Sequence, residues 1–438
     1  MHLLSLNLPD LLIPLWRGTF ECDKDDDKST WTWASLADVQ VWKAHGETVA
    51  ASTVHIPGSF GRPPRNPAQK INSGYKAWEY HLYLYGLGPG LLREVLPDDY
   101  WRHFCKLVRA VRLISQHTIS RFELLTAHRL FVEWIQGFEE LYYQRRVNRI
   151  HFVRQSTHAP GHYAREVETK GPLICSSQWT MERTIGNLTE ELRQHSDPYA
   201  NLAERAIRRA RINALKVMIP SLDPIPEKTA APRWSLDIGG GYHLLPQHQR
   251  GRQEATQSET WAIREYLDEH APNSPDYKYF TPGGLFKPSR WARLLLPNGQ
   301  KCRSLFCGRE RRSNARKARN VQVTVNGQIK FAAVQFFFEL QFNLNTRPRP
   351  LALVSVYSPP DRELLEASSE ALYSCKFLGD AALLVIEATA INQVVAMVPH
   401  KVGEDHCFFM FEQPGNDVTD MGGFLIADED DEDDVHDT

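Results

Sequence analysis

The sequence predicts an α+β protein, with a long helical part followed by a small, mainly-β, barrel-like part. Through residues 1–220, apolar side chains recur at helical spacing in one segment after another. From Trp291 the period shortens to β-type runs ended by turn dipeptides. The intervening span, Pro220 to Pro288, is rich in Pro, Gly, Ser and charge and reads as a linker with a partly ordered middle. The chain thus divides into 1–220, 221–287, 288–415 and a tail, 416–438.

At 438 residues the chain is long enough for two or three domains. Its formal net charge of −2 hides a split: residues 428–438 hold eight acids and no Lys or Arg, which leaves a formal +6 on the rest. The seven cysteines, Cys22, Cys105, Cys175, Cys302, Cys307, Cys375 and Cys407, are odd in number and mostly far apart, a pattern of free thiols rather than a disulfide framework. No second Cys or His pair follows Cys302 and Cys307 at zinc spacing. No stretch approaches the ~20 apolar residues of a membrane span. The N-terminal run has no basic n-region and is interrupted by Pro9 and Pro14, so it does not read as a signal peptide.

Met1 to Leu12 is a helix-like apolar run that begins without a cap. Asp23 to Asp27 reads as a solvated acidic loop, and Leu36–Ala51 as a helix. Gly58 to Pro67 is a proline-rich loop with two arginines, either a surface connector or a phosphate-tracking segment. Gly74–Leu96 reads as a helix broken at Gly88-Pro89-Gly90. Tyr100–Gln116 carries Trp101, Phe104, Leu107, Val108 and Val111 near i, i+3, i+4 spacing. Ser120-Arg121-Phe122-Glu123 is a capping-box pattern opening a helix to Leu141–Tyr143. Arg102, Lys106, Arg109 and Arg112 lie on outer helix faces, solvated or turned to DNA. A continuous helix would align His151, His158 and His162, but Pro160 and Gly161 argue against that continuity and favour ordinary core or surface histidines over metal ligands.

Asn201–Met218 is a basic amphipathic helix with Arg205, Arg208, Arg209, Arg211 and Lys216; Leu202, Ile207, Leu215 and Met218 form part of its apolar side. It suits a DNA backbone as well as a solvated face. A short helix is expected near Glu259–Glu269. Gly239-Gly240-Gly241 lacks the Lys-Ser/Thr framework of a phosphate loop. In the β part, Val321–Val325, Asn326-Gly327 and Gln328–Phe331 make the strongest short-range hairpin signal. Val334–Leu340, Leu351–Tyr357, Ala382–Ile386, Val394–Val398 and Cys407–Phe411 are further strands, and Asp361–Tyr373 looks helical. Lys301, Arg303, Arg309, Arg311, Arg312, Arg316, Lys317 and Arg319 form a cluster suited to nucleic acid or to nuclear import.

The run Ser176-Ser177-Gln178-Trp179-Thr180-Met181-Glu182-Arg183 opens another helix, with Ser176 or Ser177 as its cap and Trp179, Met181, Ile185 and Leu188 as apolar anchors. Glu182 is either one half of a surface Glu–Arg pair or a metal-binding carboxylate. The run resembles the end of the catalytic domain in DDE transposases of the CACTA (En/Spm) group, in the form common in basidiomycete fungi. There a Trp-x-x-Glu-Arg-like element carries the third acid of the site, and the related hAT transposases have a similar Ser-x-Glu-Arg element. Pro57-Gly58-Ser59-Phe60-Gly61-Arg62-Pro63-Pro64-Arg65-Asn66-Pro67 is also characteristic of the fungal relatives. Met1-His2 looks like the Met-His of the family's Asp-x-Met-His element, whose Asp would lie two residues before Met1, with the first catalytic Asp further upstream. Pro160-Gly161 departs from the family pattern.

The resemblance implies the remainder of an RNase H-like catalytic domain with a helical insertion at residues 20–170. Glu182 would be its catalytic and metal-binding acid, Mg²⁺ the ion of the intact family site, and transposon-end DNA and further transposase subunits the partners, in a nucleus and away from membranes. With two of three acids missing, the expectation is a chain inactive by itself. Residues 1–220 should fold poorly, with an exposed apolar patch at Leu3–Leu15, and 288–415 should be independently stable. The alternatives are a non-catalytic DNA- or chromatin-binding protein and a protein-interaction scaffold.

Overall fold

The first apolar run becomes a π-helical segment, Leu3–Asn7, that continues as α1 (Leu8–Trp16). The computed structural model describes residues 1–191, 196–222, 235–245, 254–277, 288–307, 315–343 and 345–413; Arg309, Arg311, Arg312 and the tail 416–438 lie outside them. After α1 come α2 (Val39–Ala51), opened by the Asp38 side chain, and α3 (Pro67–Lys70), opened by Asn66. Next, α4 (Ala77–His81) runs through a π-helical segment, Leu82–Leu87, into α5 (Gly88–Leu91). The expected break at Gly88-Pro89-Gly90 is therefore no break. Pro89 removes one N–H donor from this continuous run, and Arg112 donates instead to the Tyr85 and Gly86 carbonyls of the preceding turn.

The long helices α6 (Asp98–Ile114) and α7 (Arg121–Phe138) pack side by side, and the Ser120–Glu123 capping box opens α7 as its sequence requires. Four more helices follow: α8 (Gln155–His158), α9 (Tyr163–Lys170), α10 (Leu173–Ser176) and α11 (Trp179–Glu191). The last of the helical part is α12 (Pro198–Met218). Among the described residues up to 222 there is no strand.

Two further expectations for this part are corrected. The Leu3–Leu15 run forms no exposed patch: Leu8, Leu11, Leu12, Ile13, Leu15 and Trp16 are buried. The reason is local supply. The α6–α7 pair covers the first helix, with Trp16 edge-on to Phe104 at 5.2 Å and its indole N–H donating to Tyr142 at 2.9 Å. Nor is the acidic loop wholly solvated. Asp26 is buried and takes two hydrogen bonds, of 2.7 and 2.6 Å, from the buried guanidinium of Arg149. Those bonds hold the Asp26 carboxyl below its ordinary pKa.

The span read as linker contributes ordered structure. β1 (Leu236–Gly239) and β2 (Tyr242–Leu245) form a hairpin, and α13 (Gln257–His270) follows behind a Thr256–Glu259 capping box. β3 (Arg293–Leu295) and β4 (Lys301–Arg303) complete an antiparallel four-stranded sheet, β1-β2-β3-β4. β5 (Asn320–Val325) turns through Asn326 and Gly327, with φ of 51° and 73°, into β6 (Gln328–Leu340). Positive φ at both central residues is the geometry for which Asn-Gly is selected, and the register pairs Val325 with Gln328. The two runs expected after this turn are one strand carrying a bulge between Val334 and Phe336. The remaining elements are β7 (Arg349–Val356), α14 (Arg362–Ala367), β8 (Tyr373–Cys375), β9 (Leu383–Glu387), β10 (Ile391–Val394), β11 (Ala396–Val402) and β12 (Asp405–Phe411).

The central sheet, β10-β5-β6-β7-β9, is antiparallel and, among the described residues, open at both edges. Alternation sorts its side chains to two faces. Ala352 and Val354 pack with Leu244 and Leu294 of the four-stranded sheet, whereas Leu351 and Leu353 pack with Ile263 and Leu267 of α13. The class is α+β. The third sheet, β11-β12-β8, belongs partly to the helical core: Ala396, Val398, Phe409 and Phe411 share one apolar cluster with α1, α6 and α7. The small residues before and in α5 permit this approach. A Cβ on Gly90 would overlap the Phe409 ring, and one on Gly86 would lie 3.1 Å from Phe411. Arg112 adds a polar clamp, donating to the carbonyls of Tyr85 and Gly86 on one side and Ala371 on the other. Burial lowers its pKa to about 10. Part of the span 288–415 is therefore held by the helices.

Candidate functional site

Glu182 lies in the first turn of α11. The Ser176 hydroxyl donates back to the Leu173 carbonyl at 3.5 Å, at the end of α10. What anchors α11 is Trp179, whose indole meets Trp78 edge-on at 5.9 Å and His81 at 6.4 Å. His81 is buried, hydrogen-bonded to the Ser5 hydroxyl at 3.2 Å and stacked on Trp78. Its pKa falls to about 4, chiefly through burial and then through the positive N-terminal amine and Arg112. Tyr85 donates to the Leu4 carbonyl at 2.8 Å. Together these contacts seat the start of the chain against the start of α11.

The consequence is a juxtaposition across the sequence. One ring nitrogen of His2 lies 2.6 Å from the Gln178 amide oxygen, and the other lies 3.5 Å from the Glu182 carboxylate. A neutral or protonated imidazole meets the amide oxygen as a donor. The site therefore offers one carboxylate, one imidazole and one amide. Among the described residues no group of three or more His, Cys, Asp or Glu side chains could hold a metal ion. Asp10, the nearest tempting acid in sequence, is exposed and bonds Arg154 at 2.9 Å.

The cations proposed for DNA differ in exposure. On α12, Arg208 and Arg211 are exposed, while Arg205, Arg209 and Lys216 are half-buried. In the second cluster Arg316 donates to the carbonyls of Ile56 and Pro57 at 2.8 and 2.6 Å. The Lys317 backbone N–H donates to Val54 at 2.9 Å, and its ammonium lies 3.5 Å from His55. Burial and then Lys317 lower the His55 pKa to about 4. Arg316 and Lys317 thus tie the β part to the turn after α2. Arg319 is half-buried beside them, and Arg311 and Arg312 lie outside the described residues.

The other expected outer-face cations are engaged within the chain. Arg102 pairs with Asp98, Lys106 with Glu133 and Arg109 with Glu370. His158 and His162 contact each other at 3.0 Å, and His151 reaches the Glu21 carbonyl at 2.9 Å. Arg65 of the proline-rich loop grips Glu79 with two bonds of 2.7 Å, the use of a connector. Sequence reasoning missed Ser5, Trp78 and His81 as the seat of α11. No local pattern marks them, because their roles come from contacts about 75 to 100 residues apart.

Among the described residues no helix is long and apolar enough to cross a membrane. Comparison with protein-family models, curated proteins and solved structures finds no match.

Proposed function

We propose that this chain is the C-terminal part of a CACTA-type DDE transposase of the basidiomycete branch, which contacts transposon-end DNA in the nucleus without cutting it alone. The supporting observation is the 3.5 Å approach of His2 to Glu182. These are the residues that the resemblance assigns to two separate elements of one catalytic site, and 180 positions separate them in sequence. Other transposase subunits are the expected partners in such an assembly.

The donor set does not fit Mg²⁺. That ion takes oxygen ligands in near-octahedral geometry and gains little from one carboxylate beside an imidazole. Phosphodiester chemistry in this class needs ions placed by three acids. Purified protein is expected to show no Mg²⁺- or Mn²⁺-dependent cleavage of transposon-end DNA, with Glu182→Gln indistinguishable from wild type. Cleavage by the wild type that Glu182→Gln abolishes would overturn the claim that the chain is catalytically silent.

A second reading, a protein-interaction scaffold, draws support from α12, which has no buried residue and turns large apolar side chains to solvent.

A further inference from the structure

The helix α12 is amphipathic in an unusual sense. At 100° per residue, Tyr199, Ala203, Ala206, Ile207, Ala210, Ala214, Val217 and Met218 fall within an arc of about 120°. Every one of them is exposed; Tyr199, Val217 and Met218 stand 84%, 82% and 77% open. The half-buried positions Leu202, Arg205, Arg209 and Lys216 lie on the opposite side. The helix therefore turns its cationic side inward and its apolar side outward, with Arg208 and Arg211 exposed along one edge. It carries five Lys or Arg and one acid, Glu204. A continuous apolar face of this kind is a mark of a binding surface.

We propose that the C-terminal segment Phe424–Asp434, which lies outside the described residues, docks in cis on this face. Its sequence is complementary in both respects. Phe424-Leu425-Ile426-Ala427 supplies an apolar head, and Asp428 to Asp434 is an unbroken run of seven acids. The head covers the Ala–Ile–Val face, and the acids meet the net positive helix and its Arg208–Arg211 edge. A second copy of α12 is a poorer occupant, because it would bring the same positive edges together.

The tether starts on the side of the molecule that leads to α11. Gln413, the last described residue, lies two positions past Phe411. Phe411 meets Phe60 at 5.8 Å, Gly61 lies against Trp78, and Trp78 meets Trp179 of α11 at 5.9 Å. The chain from 414 to 423 reaches up to about 35 Å when extended. That exceeds the two ring-to-ring steps on the way from Phe411 to Trp179, and α11, which Trp179 opens, is in contact with α12. The inference stands on this chain's own faces and charges and does not depend on the transposase reading.

Hydrogen exchange of the full chain tests it. Peptides within residues 199–218 are compared between wild type and the Phe424→Ser, Leu425→Ser, Ile426→Ser triple variant, with α6 peptides as the control for folding. Docking predicts exchange in α12 about tenfold faster in the variant, no change in α6, and wild-type protection independent of protein concentration. Ala210→Glu, which sets a carboxylate at the centre of the face while keeping a helix former there, should remove the protection equally. Equal α12 exchange in wild type and the triple variant would overturn the proposal. So would protection that grows with protein concentration, which would assign the face to a second copy.

Discussion

The first helix and α12 make an instructive pair. Both are strongly apolar along one side, and nothing in either local sequence names the partner for that side. In the structure α1 is closed in by α6, α7 and Tyr142, whereas α12 has no buried residue. The difference does not lie in the helices themselves. Residues 98–143 fold into a helical pair that presents a Trp–Phe–Tyr surface to α1, and the neighbours of α12 are α11 and the short turn that follows it. An apolar stripe thus specifies that a partner is needed and leaves open where it comes from.

The largest predicted effect breaks this comparison directly. Trp16→Ala should cost about 3–5 kcal/mol in a denaturant melt, since it removes a fully buried ring and its bond to Tyr142. In the Phe424→Ser, Leu425→Ser, Ile426→Ser background, which leaves the face of α12 open, Ile207→Ala should stay within about 0.5 kcal/mol. Similar costs for the two would mean that α1 is not the covered helix of the pair.

Next in size is the buried ion pair beneath α1's end of the core. Arg149→Ala leaves the Asp26 carboxylate buried and without its two bonds, and should cost about 3–5 kcal/mol. A change below about 1 kcal/mol in the same melt would show that Asp26 is solvated, as its acidic loop suggests from sequence alone.

That loop shows what was legible and what was not. Local chemistry carried through: the Ser120–Glu123 capping box, the Asn326-Gly327 turn and the period of α6 all stand where the residues place them. Features set by distant contacts did not. Asp26 and Arg149 are 123 positions apart, and Gly90 reads as a breaker until Phe409 arrives against it. At the candidate site, Glu182 was legible as a position of interest. Its meeting with His2 and the Trp78–His81 seat of Trp179 were not, because each depends on elements that come together only in the folded chain.

A smaller effect is a loss of stability at acid pH. Burial lowers the pKa of His45, His55, His81 and His103 in the helical part, and of His400 in β11, from 6.5 to about 4. The unfolded chain then binds protons between pH 6.5 and 4 that the folded chain does not. Stability from these groups is fully present above pH 6.5 and is lost as pH falls toward 4, by up to about 1.4 kcal/mol per pH unit for each. Melts at pH 7, 6 and 5 should show the loss. A flat profile over that range would mean that the imidazoles are charged in the folded state.

The proposal that the chain contacts transposon-end DNA, with the exposed Arg208–Arg211 edge of α12 as the candidate contact, is tested most directly by a salt titration of DNA binding. The Phe424→Ser, Leu425→Ser, Ile426→Ser background leaves α12 open, and adding Arg208→Gln with Arg211→Gln removes its exposed cationic edge. The account predicts salt-dependent binding in that background and a log–log slope shallower by about two when both arginines are lost. Absent binding, or a slope unchanged by the two substitutions, would contradict it.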